Sequence, residues 1–129
     1  MTPKTVGQKL FIKKGMTLRL ISAPDNFADR IRDKDVTFLS ERSKQPADLV
    51  LLFTRDRNEL EAQLDRARKF IVPSGALWLA YPKGTSKLKS DIHRDSIREY
   101  AASIGLDTVS LISIDEVWSC FRLKPVRQE

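Results

Sequence analysis

The chain has 129 residues, of which 41% are apolar and 31% charged, and its net charge is +6. This composition is typical of one soluble globular domain and excludes a disordered or fibrous chain. The single cysteine and single histidine exclude an internal disulfide and a metal site rich in cysteine or histidine. The longest near-apolar run, "GALWLAYP", is too short to cross a bilayer, so we expect a cytoplasmic protein without a membrane partner.

The first part of the chain is basic. Residues 1–16 are predicted to form an N-terminal tail with a short helix or turn, which packs on the rest of the chain through Leu10 and Phe11. Residues 17–129 are predicted to form a single domain. Basic and acidic residues are interspersed along the rest of the chain. We therefore do not expect nucleic acid to be the primary partner.

The next elements are short. Alternation in "MTLRLIS" predicts a strand, and the following residues predict a short helix over Phe27 to Ile31, capped by Asp25 or Asn26. A second short strand is predicted over Val36 to Ser40. The run "LVLLF", Leu49 to Phe53, is apolar on both faces, which indicates a parallel strand covered by helices on both sides.

The second half alternates helices and strands. "TRDRNELEAQLDRARKFI" predicts a helix with Asn58 and Glu61 as a capping box, and "ALWLAY" predicts another buried strand. An apolar stripe that ends at Gly105 predicts a further helix, and two closely spaced strands, Leu106 to Ser113 and Val117 to Pro125, predict an antiparallel hairpin. The fold class is therefore α/β, a three-layer Rossmann-like sandwich with a mostly parallel sheet and a C-terminal antiparallel hairpin.

From Ala47 onward the chain resembles the class I S-adenosylmethionine-dependent methyltransferase fold. "ADLVLLF" is similar to the fourth strand of that fold, and "FIVPSGALWLAYPK" is similar to its "L-x-P-G-G-x-L" segment and fifth strand. "LDTVSLISIDEVWSCFRLKP" resembles the sixth and seventh strands. A fold does not carry an activity with it, so the resemblance implies topology.

The first half departs from the methyltransferase pattern. A cofactor-binding methyltransferase has a glycine-rich turn after its first strand, whereas "LISAPDNFAD" contains no glycine and has Pro24, which lacks an amide donor. The third strand of that fold is also absent. Glu41 stands where an acid would bind the cofactor ribose, or is an ordinary loop acid. We therefore expect no conventional cofactor.

The whole pattern also resembles a family of short bacterial proteins known as a domain of unknown function. The residues that carry this resemblance are "GMTLRLISAPDNF", "ADLVLLF", "PSGALWLAYPK" and "DEVWS". This resemblance implies the fold and a bacterial origin, and brings no activity with it.

Two segments follow predicted parallel strands, where ligands of α/β sheets bind. The loop "YPKGTSK" offers charge, hydroxyls and unhindered amides to an anion, or is a plain linker, and "SAPDNF" offers polar groups or only a helix cap. The predicted ligand-binding residues are Ser22, Asp25, Asn26, Tyr81, Lys83, Gly84, Thr85, Ser86 and Lys87.

No catalytic residue is predicted. Adjacent carboxylates on a turn, such as Asp115 and Glu116, usually point apart, and His93 has no recognisable nucleophile beside it. Cys120 reads as an inert, half-buried thiol. The leading hypothesis is a non-enzymatic module that binds a small anionic ligand, a protein partner or a second copy, the last on the final strand if that strand forms an exposed edge. The alternatives are a divergent methyltransferase or nucleotide-using enzyme, and a nucleic-acid-binding protein.

Overall fold

The computed structural model describes residues 5–31, 35–40, 42–84 and 91–126. A six-stranded sheet carries helices on both faces, which confirms the predicted α/β sandwich. No helix within these ranges is long and apolar enough to span a membrane. The elements are α1 (Val6–Lys9), β1 (Thr17–Ile21), a 3₁₀ helix (Ala28–Arg30), β2 (Thr37–Phe38), β3 (Ala47–Phe53), α2 (Arg57–Ala67) continued by a 3₁₀ turn (Arg68–Phe70), β4 (Ile71–Pro82), α3 (Arg94–Ser103), β5 (Leu106–Ser113) and β6 (Trp118–Pro125).

The strands lie in the order β2-β1-β3-β4-β6-β5. The first four are parallel, and β6 runs antiparallel to both β4 and β5. The predicted hairpin is confirmed. The final strand, however, does not form an edge, because the hairpin inserts β6 beside β4 and leaves β5 outermost. At the other edge, the described chain has no strand beyond β2, which agrees with the expected absence of the third strand of the methyltransferase fold.

Each face of the sheet has its own apolar core. On one face, α2 and α3 bury Leu60, Leu64 and Ile97 against side chains from β3, β4 and β6. The other face is covered by α1 and by the segment around the 3₁₀ helix. The buried residues of this second cluster that precede β1 are Val6, Leu10 and Ile12. Part of the predicted tail thus packs on the sheet through Leu10, as expected, whereas Phe11 is exposed and does not dock.

Two helix starts differ from the prediction. Asp56, not Asn58, caps α2, because its carboxylate accepts the Glu59 N–H at 2.8 Å. The Asp91 carboxylate, which precedes α3, accepts the Arg57 N–H at 2.8 Å and helps to fix this earlier start. The 3₁₀ helix begins after Phe27 without a side-chain cap, so the predicted cap by Asp25 or Asn26 is wrong. The buried Phe27 ring anchors that turn instead.

β4 is longer than "ALWLAY" indicated, because it begins at Ile71. Its pairing with β3 is irregular where the chain passes Asp48. At Gly75, an added Cβ would lie 2.6 Å from Ile71 Cγ1 and 2.7 Å from the Asp48 carbonyl oxygen. Glycine is therefore needed here for the close approach of two strands.

Candidate functional site

The connections of the sheet reverse direction between β1 and β3. The chain leaves β1 for β2 on one side and later returns to β3 on the other side. In open α/β sheets, ligands bind beyond the carboxyl ends of strands at such a reversal. In this protein Ser22 follows β1, and Thr54 and Arg55 follow β3.

A cavity of about 250 Å³ lies alongside β1, between the second half of that strand and the second half of α2. Ser22 contributes to it with a φ of 58°, in the left-handed region that glycine adopts most easily. The backbone thus makes a sharp turn here without a glycine, which costs about 1–2 kcal/mol. We call this cavity the β1 cavity. It is lined by Arg19, Ile21, Ser22, Gln63, Arg66, Ala67 and Phe70.

Arg19 is the most unusual residue of the β1 cavity, since only 2% of it is exposed although it carries a charge. Its guanidinium donates hydrogen bonds to the carbonyl oxygens of Ser40 at 3.3 Å and Gln45 at 3.2 Å, and to that of Ser43. It also lies 4.2 Å from the centre of the Phe70 ring. Arg19 therefore fastens the β2–β3 connection to the sheet and brings positive charge to the cavity wall.

The remaining polar groups of the β1 cavity come from α2. Arg66 is exposed and Gln63, three residues earlier, is half-buried, so both side chains project from the same side of the helix. The lining contains two guanidinium groups, one amide and one hydroxyl, and no carboxylate. Such a set of donors favours an anion.

The opposite side of the same strand ends is filled with aromatic rings. Phe27 packs edge-on against Phe53 with 4.8 Å between ring centres, and Phe53 packs edge-on against Trp118 at 5.0 Å. Above them, Arg30 bonds Asp115 at 2.8 Å and joins the segment after β1 to the β5–β6 turn.

Asp115 is a structural residue of the hairpin turn. Its carboxylate accepts the backbone N–H groups of Val117 and Trp118, each at 2.8 Å. Partial burial alone would raise the pKa of Asp115, but the hydrogen bond from Arg30 and those two N–H groups outweigh it and lower the pKa. The neighbouring Glu116 is exposed and does not share these contacts. The acidic tip therefore forms no carboxylate pair.

The described part of the loop after β4, Lys83 and Gly84, does not line the β1 cavity. The Lys83 ammonium donates to Ser113 Oγ on β5, and the Lys83 N–H donates to the Val117 carbonyl at 2.7 Å. Gly84 is exposed with open space around it. The other candidates of the loop, Thr85, Ser86 and Lys87, lie outside the described residues, as does Glu41. The described part of the loop thus faces the hairpin.

Tyr81, the penultimate residue of β4, is buried in the core and does not line the β1 cavity. Its ring stacks on Phe121 with 5.5 Å between centres. Burial raises the pKa of Tyr81. The charge of Arg94, a hydrogen bond with Ser119 and the charge of Arg98 each lower this pKa, but burial outweighs them. The ring is therefore part of the packing between sheet and α3.

The other predicted residues are scattered. Asp25 and Asn26 are exposed on the turn after β1 and do not line the β1 cavity, and Asn26 has a φ of 66°. His93 is exposed at the start of α3, where its N–H donates to Ser96 Oγ at 2.9 Å. Cys120 is fully buried rather than half-buried, and this burial raises the pKa of its thiol well above its usual range. Of the predicted ligand-binding residues that lie within the described ranges, only Ser22 lines the β1 cavity.

Sequence reasoning missed Arg19, Gln63 and Arg66. Arg19 lies in the strand that alternation in "MTLRLIS" predicts, and Gln63 and Arg66 lie in the helix predicted over "TRDRNELEAQLDRARKFI", but neither pattern marks them as site residues. A signal was nevertheless present, because a strand in the middle of a parallel sheet is covered on both faces and a charge in it must be buried.

A second, larger cavity of about 490 Å³ lies at the opposite end of the sheet, between the start of β4 and the end of β6. Its walls are mostly apolar, with Arg68 and Lys124 among the lining residues. It is remote from the reversal between β1 and β3. The described residues contain no group of three or more side chains suited to hold a metal ion.

Comparison with solved structures defines the fold as that of class I S-adenosylmethionine-dependent methyltransferases. A methyltransferase from Geobacter sulfurreducens in complex with S-adenosyl-L-homocysteine aligns with a TM-score of 0.63 and 11% identity, over 97% of this chain and 92% of that one. A methyltransferase from Bacteroides fragilis, also with S-adenosyl-L-homocysteine, gives 0.62 and 12%, over 98% and 79%. A tRNA methyltransferase from B. subtilis gives 0.58 and 10%, over 97% and 67%. Identities this low show the fold alone.

Residues 8–127 match the family described as "Protein of unknown function (DUF3052)", and the chain belongs to it. No curated protein matches the chain. The predicted resemblances to the methyltransferase fold and to a family of unknown function are both confirmed.

Proposed function

We propose that this protein is a non-enzymatic, methyltransferase-like Rossmann module that binds a small anion in the β1 cavity. The observation that carries the proposal is the presence of both Arg19 and Arg66 in the wall of a cavity without a lining carboxylate, beside β1, one of the two strands between which the connections of the sheet reverse. Arg66 and Gln63 would bind the anion directly, and Arg19 would add positive charge behind them.

The size of the β1 cavity supports a small ligand. Its volume of about 250 Å³ lies below the roughly 300–1,000 Å³ that is usual for drug-sized ligands. The aromatic cluster of Phe27, Phe53 and Trp118 occupies the neighbouring side. A phosphate or small carboxylate fits these limits better than a whole nucleoside cofactor does.

A divergent methyltransferase is the second candidate, because solved structures of the same fold hold S-adenosyl-L-homocysteine. In this protein that ligand would have to bind past Pro24 and the aromatic cluster. Methyl transfer depends mainly on positioning, so the lack of an acid–base pair in the site does not count against it.

Titration calorimetry with inorganic phosphate, citrate and S-adenosyl-L-homocysteine tests the proposal. Arg66→Ala should weaken anion binding about tenfold to a hundredfold, since a hydrogen bond to a charged group contributes about 1.5–3 kcal/mol. Lys69→Ala is the matched control, because Lys69 is also basic and exposed but does not line the cavity.

The other outcomes are distinct. Failure of every anion to bind would reject the proposal. Loss of binding in Lys83→Ala/Lys87→Ala, with Arg66→Ala unchanged, would place the anion at the loop after β4. Tight binding of S-adenosyl-L-homocysteine alone would favour the methyltransferase.

A further inference from the structure

The pairing between β4 and β6 stops before either strand ends. The last pair at this end of the sheet is Leu77 with Leu123. Beyond it, Lys124 and Pro125 of β6 continue to pair with β5, whereas Ile71 of β4 pairs with β3. The two strands therefore diverge, and the gap between them forms the cavity of about 490 Å³ at this end of the sheet, here called the β4–β6 cavity.

An irregular segment of β4 widens this gap. β4 advances over residues 71–76 while its partner β3 advances only over residues 47–49. The extra residues of β4 form a bulge, within which Gly75 approaches β3 too closely to carry a Cβ. Val72, Ser74 and Gly75 of this bulge line the cavity. The backbone pairing of three strands thus sets the shape of the gap.

One wall of the β4–β6 cavity is apolar. Leu77, Leu106 and Leu123 line it, and all three belong to the core that α2 and α3 cover. Ile71 and Val72 extend this wall and are half-buried. The volume lies within the roughly 300–1,000 Å³ that is usual for sites of small organic ligands. A wall of this kind favours a ligand with a hydrocarbon body.

The charged groups of the β4–β6 cavity are cations. Arg122 and Lys124 lie two residues apart on β6, so their side chains share one face of the strand. Nε of Arg122 is buried without a hydrogen-bond partner among the described residues, and the guanidinium lies 5.8 Å from the centre of the Trp78 ring. A buried donor without an acceptor is destabilising, and an oxygen of a bound ligand would satisfy it.

Two carboxylates lie near this wall without lining the cavity. Asp65 pairs at 2.5 Å with Arg68, the third lining cation, which also donates to a backbone carbonyl. Asp107 lies opposite Lys124 in the pairing of β5 with β6. The described residues that line the cavity include no carboxylate. Arg122 is therefore the main cation for an anionic group, and Lys124 adds a weaker attraction.

We propose that the β4–β6 cavity is a second ligand site, which binds a small organic anion with a carboxylate head and an apolar body. The body packs on Leu77, Leu106 and Leu123, and the head accepts hydrogen bonds from Arg122. The proposal is independent of the anion site in the β1 cavity, since the two cavities share no lining residue.

Titration with octanoate, followed in two-dimensional NMR spectra of the isotope-labelled protein, tests the site. Transfer of the octanoate chain from water predicts a dissociation constant of roughly 0.1–1 mM. The amide signals of Leu77, Leu106 and Leu123 should shift, whereas that of Ser22 in the β1 cavity should not. Acetate, which lacks the chain, and octanol, which lacks the charge, should each bind roughly tenfold more weakly.

Three variants assign the cations. Arg122→Met keeps an apolar stem beside Trp78 but removes the guanidinium, so it should weaken octanoate binding about tenfold. Lys124→Glu should weaken it about threefold to tenfold. Lys44→Glu makes the same charge change at an exposed lysine that lines neither cavity, and it should bind octanoate as the unchanged chain does. Melting temperatures show that the variants fold.

The opposing results are distinct. The proposal is overturned if octanoate causes no shifts at about 10 mM, or shifts Ser22 in place of the three leucines. It is also overturned if Arg122→Met binds octanoate unchanged, or if acetate or octanol binds as tightly as octanoate. Arg66→Ala separates the two sites, because it should weaken phosphate binding in the β1 cavity and leave octanoate binding unchanged.

Discussion

Arg19 should be a main support of the β2–β3 connection, and Arg19→Met tests this. Methionine is also long and unbranched, so it fills much of the same space without the guanidinium. The substitution removes the hydrogen bonds to the carbonyl oxygens of Ser40, Ser43 and Gln45 and the contact with the Phe70 ring.

The magnitude follows from these contacts. A charge-assisted hydrogen bond contributes about 1.5–3 kcal/mol and a partly buried cation–π contact about 1 kcal/mol, but bonds of 3.2 and 3.3 Å lie at the weak end. Ser40 and Gln45 are exposed, so water can hydrate their carbonyl oxygens in the variant. Removing the guanidinium also removes the free-energy cost of burying its charge, which offsets part of the lost stability. The net loss should be about 2–3 kcal/mol. At roughly 4 °C per kcal/mol for a chain of this length, the melting temperature should fall by about 8–12 °C.

Urea unfolding followed by circular dichroism gives the free energy of unfolding directly. Arg19→Lys is the informative companion, because it keeps the charge but loses the planar fork, and it should lie between the parent and Arg19→Met. If Arg19→Met is as stable as the parent or more stable, this reasoning is refuted. The free-energy cost of desolvating the guanidinium would then be at least as large as the stabilisation from all its contacts.

Three further predictions concern other parts of the fold. Asp115→Asn should lower the free energy of unfolding at neutral pH. Because the pKa of Asp115 in the folded protein is lower than the ordinary aspartate value of 3.8, the difference between variant and parent should disappear as the pH falls below 3.8 and Asp115 of the parent becomes protonated. A loss that does not vary with pH in urea unfolding would contradict this. Gly75→Ala should cost about 2 kcal/mol in the same assay because its methyl group meets the Asp48 carbonyl, whereas Gly84→Ala, in open space, should change stability by less than about 0.5 kcal/mol. The Cys120 thiol should resist a thiol reagent in the folded protein and react once urea unfolds it, and fast labelling without urea would show that this strand opens.

Much of the fold could be predicted because its signals are local. Apolar runs at "LVLLF" and "ALWLAY" are buried on both faces in β3 and β4, and Gly105 follows α3 with a φ of 83°. The start of α2 could not be predicted in this way. Asp56 and Asn58 are both good caps by residue type, and a contact with Asp91, distant in sequence, accompanies the choice of the first.

The candidate site was harder to predict than the fold. Polar residues that follow strands led to Ser22, which lines the β1 cavity, but also to Asp25, Asn26 and the loop after β4. The donors of the β1 cavity come instead from Arg19 within β1 and from Gln63 and Arg66 on α2. Helix periodicity predicts which residues avoid the core, but it does not show which neighbouring element an outward-facing side chain meets.

The sequence by itself determined the class of the sheet and the alternation of strands and helices, because both depend on periodicity and burial along single elements. The tertiary structure decided where Arg19 is buried, which strand forms the edge, and which residues of α2 face β1. Those features depend on which elements become neighbours in space. Contacts between residues as distant as Arg30 and Asp115, or Lys9 and Ser113, leave no periodic trace in the chain.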